Sequence, residues 1–166
     1  MSSNVAERDF CGVPESVMRG IRALPLGDCI RYWDAFEKDQ KAKGRLRQAV
    51  RALALGDLFY LLVRLCGRKD MLRHWVYART REFEAARDGY LDLRAREHFK
   101  SSTITFGATI QDVLNDAEIT VGIFSHTRPI AKGFLRQIMR EFEGNQRLIA
   151  AFPDILWGAE LKAAPK

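Results

Sequence analysis

An α/β fold follows from three features of the 166-residue sequence. Apolar residues recur at helical spacing through residues 14–88. A β-branched run at residues 118–124 (EITVGIF) and a shorter apolar stretch at residues 90–93 (YLDL) then flank a further helical pattern. A connection of that length between two apolar strands normally makes a right-handed parallel crossover. The expected arrangement is a helical amino-terminal segment over 1–88, an incomplete parallel sheet flanked by helices over 89–157, and a loose carboxyl end at 158–166.

Each element has its own local signal. In the first helical stripe are Cys29, Ile30, Trp33 and Phe36. Leu46, Val50, Leu53, Leu58, Leu61, Leu62 and Leu65 form the second, which Gly67 ends. Asp70 is placed to cap a helix carrying Leu72, Trp75, Val76, Ala78 and Phe83. Asp88-Gly89 signals a turn, residues 94–100 a polar loop, and residues 101–115 a helix with Ile104, Phe106, Ile110, Val113 and Leu114 on its apolar face. After the turn at 125–128, Thr127 caps a helix with Pro129 in its first turn. The stripe of that helix, Ile130, Phe134, Leu135, Ile138 and Phe142, runs to Gly144. A last amphipathic stretch at 148–157 is cut by Pro153.

Composition narrows the class. With 47% hydrophobic and 29% charged residues the chain matches globular usage, which excludes disordered, collagen-like and low-complexity classes. Residues 53–66 are the longest apolar stretch, and Asp57 and Arg64 interrupt it well short of a membrane span. The amino end has no basic region leading into an apolar one, so no secretory signal and no membrane partner are expected, and the protein is placed in a cytoplasm. Three widely spaced cysteines, Cys11, Cys29 and Cys66, offer neither a disulfide framework nor a zinc pair. Nearly the whole of the net charge of +6 lies in residues 38–51, where Lys38, Lys41, Lys43, Arg45, Arg47 and Arg51 face Asp39 alone. Such a stretch either attracts phosphate backbones or an acidic partner, or is the solvated face of a helix.

The sharpest motif joins the first expected strand to the helix behind it: Arg94-Ala95-Arg96-Glu97-His98-Phe99-Lys100-Ser101-Ser102. A phosphate loop of the form GxxxxGK[ST] surrounds phosphates with backbone N–H groups and a helix amino terminus, adds a lysine charge, and binds magnesium through Ser or Thr. Lys100 and Ser101 stand at the right places, while Arg94 and Phe99 occupy the glycine positions. Glycine serves there by tolerating positive φ, which Phe does less easily. The loop falls at the carboxyl edge of the expected sheet, where such folds bind ligands. Arg128, in the turn at 125–128 on the same edge, is a candidate second phosphate contact, although helix capping also explains that turn.

The run from Gly89 to Asn145 (GYLDLRAREHFKSSTITFGATIQDVLNDAEITVGIFSHTRPIAKGFLRQIMREFEGN), followed by AFPDILW, resembles the amino-terminal ATPase part of the large terminase subunit of tailed bacteriophages. The likeness covers about residues 53–157, and in that family the deviant phosphate loop has the shape R-x-x-x-K-[ST], matched by Arg96, Lys100 and Ser101. The resemblance implies a P-loop NTPase sheet and a motor that packages double-stranded viral DNA into a capsid, working with a portal and a small terminase subunit. The setting it implies is a bacterial cell infected by phage or carrying a prophage. It further implies that residues 96–102 (Arg96, Glu97, His98, Phe99, Lys100, Ser101, Ser102) bind ATP, with Lys100 on the β and γ phosphates, Ser101 on magnesium and Arg96 at the γ-phosphate.

Such an ATPase also needs an apolar strand ending in an Asp for magnesium and a Glu that orients water. EITVGIF ends instead in Ser125 and His126, and Asp154 lies in a Pro-broken stretch. The expectation is thus an amino-terminal portion that stops before this Walker B motif and the nuclease domain, with turnover left open. An uncovered sheet edge and apolar face in such a portion predict self-association or poor solubility. The competing expectation is a non-catalytic module that binds DNA or a packaging subunit through residues 38–51, with a vestigial loop. His74, His98 and His126 lie on separate elements without ligand spacing, and Ser125-His126 lacks the glycines of a nucleophile elbow. Trp33, Phe36, Phe59, Tyr60, Trp75 and Tyr77 fall at helical spacing and read as core, and none is marked out as a base-stacking residue.

Overall fold

The structure is a computed structural model that describes residues 8–86, 89–93 and 95–156. Asp88, Arg94 and the expected loose end at 158–166 lie outside those residues. The chain divides into two compact units, Met1–Asp57 and Leu58–Lys166.

The first unit opens with a hairpin that the sequence pattern did not suggest. Strands β1 (Asp9–Phe10) and β2 (Val13–Pro14) pair antiparallel with Phe10 opposite Val13. Cys11 and Gly12 both take positive φ, 52° and 91°, as a two-residue turn of primed type requires. Helices α1 (Glu15–Arg22), α2 (Leu26–Ala42) and α3 (Leu46–Gly56) follow, with Pro14 and Pro25 preceding α1 and α2. Met18, Cys29, Trp33, Ala52 and Leu53 are fully buried. Gly56 is required by a close approach, since a methyl group there would meet Met18 Cγ at 2.7 Å.

Between α2 and α3 the chain turns through a Schellman motif. Gly44 sits at φ 70°, its N–H donates to the Lys41 carbonyl at 3.1 Å, and the Arg45 N–H donates to the Gln40 carbonyl at 2.8 Å.

In the second unit a short helix, α4 (Leu58–Tyr60), continues as a π-helical turn at Leu61–Leu65. The expected single stripe from Leu46 to Leu65 is therefore two helices. Asp57 interrupts it with extended backbone at φ −137° and ψ 102°. Glu84 accepts the Leu58 N–H at 2.6 Å and thereby caps α4 from another helix, α5 (His74–Ala85). Asp70 does not cap α5: Arg73 holds that position, and Asp70 lies in the 3₁₀ turn Lys69–Met71, where its carboxylate takes Arg68 instead.

The helix expected at 101–115 forms, with Lys100 as its first helical residue. It is π-helical over Ser101–Ala108 and α-helical as α6 over Thr109–Asn115. Phe106, Ile110 and Leu114 are its buried face. Helices α7 (Arg128–Gly144) and α8 (Gln146–Ala151) complete the unit; Thr127 and Pro129 begin α7, and Asn145 caps α8 by accepting the Arg147 and Leu148 N–H groups.

The chain is thus mostly helical, and the sheet found among the described residues is the antiparallel pair β1–β2 rather than a parallel one. Residues 90–93 and 118–124 are not paired into a sheet among the described residues. Their apolar side chains are left outside the core, with Leu93 at 84% and Phe124 at 96% exposure. A β-branched run favours extended backbone locally, but a strand exists only where a neighbour supplies the ladder.

Candidate functional site

Residues 96–102 sit immediately before and within the first turn of the helix that begins at Lys100. Two residues of this loop hold left-handed backbone without being glycine: Glu97 at φ 65° and Phe99 at φ 55°. The second stands where a phosphate loop would carry its second glycine. The resistance expected of Phe at that position is overcome by tertiary contacts. The Phe99 ring lies 5.9 Å from that of Trp75, with the Arg68 guanidinium 6.0 Å from its centroid. The Phe99 carbonyl accepts both the Thr103 N–H at 2.8 Å and the Thr103 hydroxyl at 2.9 Å, which fixes the first helical turn.

That turn brings Lys100, Ser101 and Ser102 together, all half-buried, beside the exposed Arg96, Glu97 and His98. The amino-terminal turn of a helix leaves N–H groups without intrahelical acceptors, and the helix dipole adds a partial positive charge there. A left-handed residue next to a helical one also turns successive N–H groups toward a common concavity suited to an anion. The arrangement therefore suits an anionic group, with Lys100 supplying a full charge. Arg128 is exposed in the first turn of α7, and among the described residues no hydrogen bond or ion pair joins it to residues 96–102.

Three further groups belong to the same compact unit. Arg68 is held by Asp70 through two hydrogen bonds, Nε to Oδ1 at 3.0 Å and Nη2 to Oδ2 at 2.9 Å. That pairing raises the Arg68 pKa and holds the Asp70 carboxyl below the usual carboxylate range. Burial, helped by Glu141, pushes the Cys66 thiol up to about 12, so it carries no nucleophile at neutral pH. Trp75, in the first turn of α5, packs its ring 5.2 Å from His98. Trp33, Phe59, Tyr60 and Tyr77 are buried as their spacing suggests, but Trp75 remains 39% exposed. Its place beside the loop had no signal in the sequence, because a contact between residues 75 and 98 is made by the fold and not by periodicity.

The basic stretch lies in the other unit. Lys38, Lys41, Lys43, Arg45 and Arg47 are exposed around the α2–α3 turn, and Arg51 is half-buried on α3. Lys43 pairs with Asp39 at 2.7 Å. This is a helix–turn–helix corner, not the single solvated helix face that was the simpler expectation. Lys41, in the last turn of α2, complements its dipole. Arg45 and Arg47 oppose that of α3, whose first turn has no acidic residue. Helix stability thus explains Lys41 but not the two arginines.

Compared with known proteins, the chain matches no family model, no curated protein and no solved structure. Among the described residues, no helix is long and apolar enough to cross a membrane.

Proposed function

We propose that this chain carries the ATP-binding part of a large terminase subunit of tailed bacteriophages, the motor that packages double-stranded viral DNA. The observation that supports this reading is the backbone at Phe99. A non-glycine residue is held at φ 55° directly before Lys100-Ser101 and a helix start. Left-handed backbone costs a residue with a side chain about 1–2 kcal/mol, and strain of this kind clusters at ligand-binding turns.

On this reading Lys100 contacts the β and γ phosphates, Ser101 holds magnesium, Arg96 reaches the γ-phosphate, and residues 97–99 and 102 line the phosphate chain. The metal would neutralise charge on the phosphate oxygens. Arg128 is a second phosphate contact. The finer fold would be a P-loop NTPase sheet in which residues 90–93 and 118–124 become parallel strands once neighbours are present. Portal and small terminase subunits, a second copy of the chain, and the cytoplasm of a bacterial host complete the setting.

Titration of the purified chain with a fluorescent ATP analogue, with and without magnesium, tests the loop. Saturable binding strengthened by magnesium and lost in Lys100→Ala is the expected result. No binding by a well-folded chain, or equal binding by Lys100→Ala, would overturn it.

A second reading is favoured by Arg45 and Arg47, which stand at a helix amino terminus against its dipole. On that reading the corner at residues 38–51 binds DNA or another packaging subunit, and the loop is vestigial. DNA affinity that falls steeply with salt, without any nucleotide binding, would select it.

A further inference from the structure

We infer that the outer face of α7 is a docking surface for an acidic amphipathic helix of a partner protein. The inference concerns a part of the second unit that the loop at residues 96–102 does not use, and it stands whatever that loop binds.

The sequence of α7 sets two rows side by side. Arg128, Lys132, Arg136 and Arg140 recur at every fourth position over about 18 Å of helix, and all four are exposed. Leu135 and Met139 form a second row, one position before Arg136 and Arg140, and they stay 51% and 46% exposed. The helix meets its own unit through a different side, where Ile138 is buried and Phe134 and Phe142 are half-buried.

Helix formation does not account for this pattern. Like charges at four-residue spacing repel one another, so the row works against the helix that carries it. Carboxylates of the same chain do not offset the repulsion: among the described residues, no side-chain hydrogen bond or ion pair engages Lys132, Arg136 or Arg140.

The combination of the two rows decides the kind of partner. A DNA backbone answers the cations but leaves Leu135 and Met139 facing polar groups. A helix lying in a membrane surface buries a whole apolar stripe, whereas most of the stripe of α7 is spent on its own unit. A facing helix satisfies both rows. Its apolar seam covers Leu135 and Met139, and carboxylates at its own four-residue spacing meet the cations, as flanking charges do in paired helices. Arginine and methionine are also the residue types that protein interfaces favour. A second copy of this chain does not qualify, since none of its described helices carries three acidic residues at four-residue spacing.

Fluorescence anisotropy on the full chain tests this with a synthetic helical peptide in which glutamates recur every fourth residue beside a leucine seam. A scrambled peptide of the same composition, a short DNA duplex and vesicles of phosphatidylserine and phosphatidylcholine are the comparisons. The wild-type chain should bind the patterned peptide about ten-fold more tightly than the scrambled one, whose charge attraction to the basic corner at residues 38–51 is the same. Combining Lys132→Glu, Arg136→Glu and Arg140→Glu should remove that preference; Arg128 is left in place because it is assigned to the phosphate site. Leu135→Ala with Met139→Ala should weaken the patterned peptide by about ten-fold and leave the scrambled one unchanged. A peptide with lysines in place of its glutamates should bind the charge-reversed chain more tightly than the wild type, which an unfolded variant would not do.

Equal affinity of wild type for the patterned and scrambled peptides would overturn the inference, as would a preference that survives the triple reversal. DNA or vesicle binding that is lost in the reversed chain, with no peptide preference in wild type, would assign the row to phosphate groups and remove the protein partner.

Discussion

Glu97 and Phe99 share the same left-handed backbone, but their side chains differ in what they return for it. Glu97 is exposed at φ 65°. Glycine in its place would relieve a strain of about 1–2 kcal/mol and give back about 0.5–1 kcal/mol through a more flexible unfolded chain. Glu97→Gly should therefore raise the melting temperature by about 1–4 °C, the scale for a domain of this size. Phe99→Gly relieves the same strain but removes a half-buried ring set against Trp75 and Arg68, so it should show no gain. Thermal unfolding of the two variants side by side is the measurement. A lower melting temperature for Glu97→Gly would mean that the loop draws stability from the Glu97 side chain. The identities of Lys100 and Ser101 could be read from the sequence. The conformation that gives them meaning could not, because a positive φ at Phe99 is imposed by contacts with residues 68 and 75.

Two helices of the second unit were readable in the sequence from a stripe and its end signals. Thr127 stands at the N-cap of α7 without a side-chain capping hydrogen bond, Pro129 falls in its first turn and Gly144 is its last residue, while the helix after the loop runs to Asn115 as its apolar spacing implies. The break at Asp57 and the unpaired segments at 90–93 and 118–124 were not readable, since each depends on partners distant in sequence. Glycines inside helices show how strongly such partners decide. Gly133, in α7, has open space around the position of a Cβ, whereas a Cβ on Gly107 would meet Leu62 Cδ2 at 2.7 Å and Cγ at 3.0 Å. Gly133→Ala should stabilise by about 1 kcal/mol through helix propensity alone. Gly107→Ala has the same gain but forces the fully buried Leu62 to shift, at about 1–3 kcal/mol, so its net effect should be destabilising. Denaturant titrations of both variants check this. Adding Leu62→Ala should make the Gly107→Ala change less harmful than in the wild-type background, a coupling that two independent sites would not show.

The two activities considered for the chain fall in different compact units: the basic corner in Met1–Asp57, the loop in Leu58–Lys166. That separation makes them independently removable. Charge at residues 38–51 was evident from the sequence, but its use was not. The Schellman turn at Gly44 gathers Lys41, Arg45 and Arg47 at one corner, which a linear count does not reveal. Reversing those three residues to Glu should not unfold the unit, because they are exposed and an acidic residue at positions 45 and 47 suits the start of α3. Each lysine or arginine that neutralises a DNA phosphate contributes about −0.9 to the slope of log affinity against log salt. The triple reversal should therefore flatten that slope by about 2–3 and abolish DNA binding at moderate salt, while the affinity for a fluorescent ATP analogue stays that of wild type. Lys100→Ala should do the converse. If the reversal leaves DNA binding and its salt slope unchanged, the corner is a solvated surface after all. If either variant removes both activities, DNA and nucleotide share one site, and the assignment of separate roles to the two units fails.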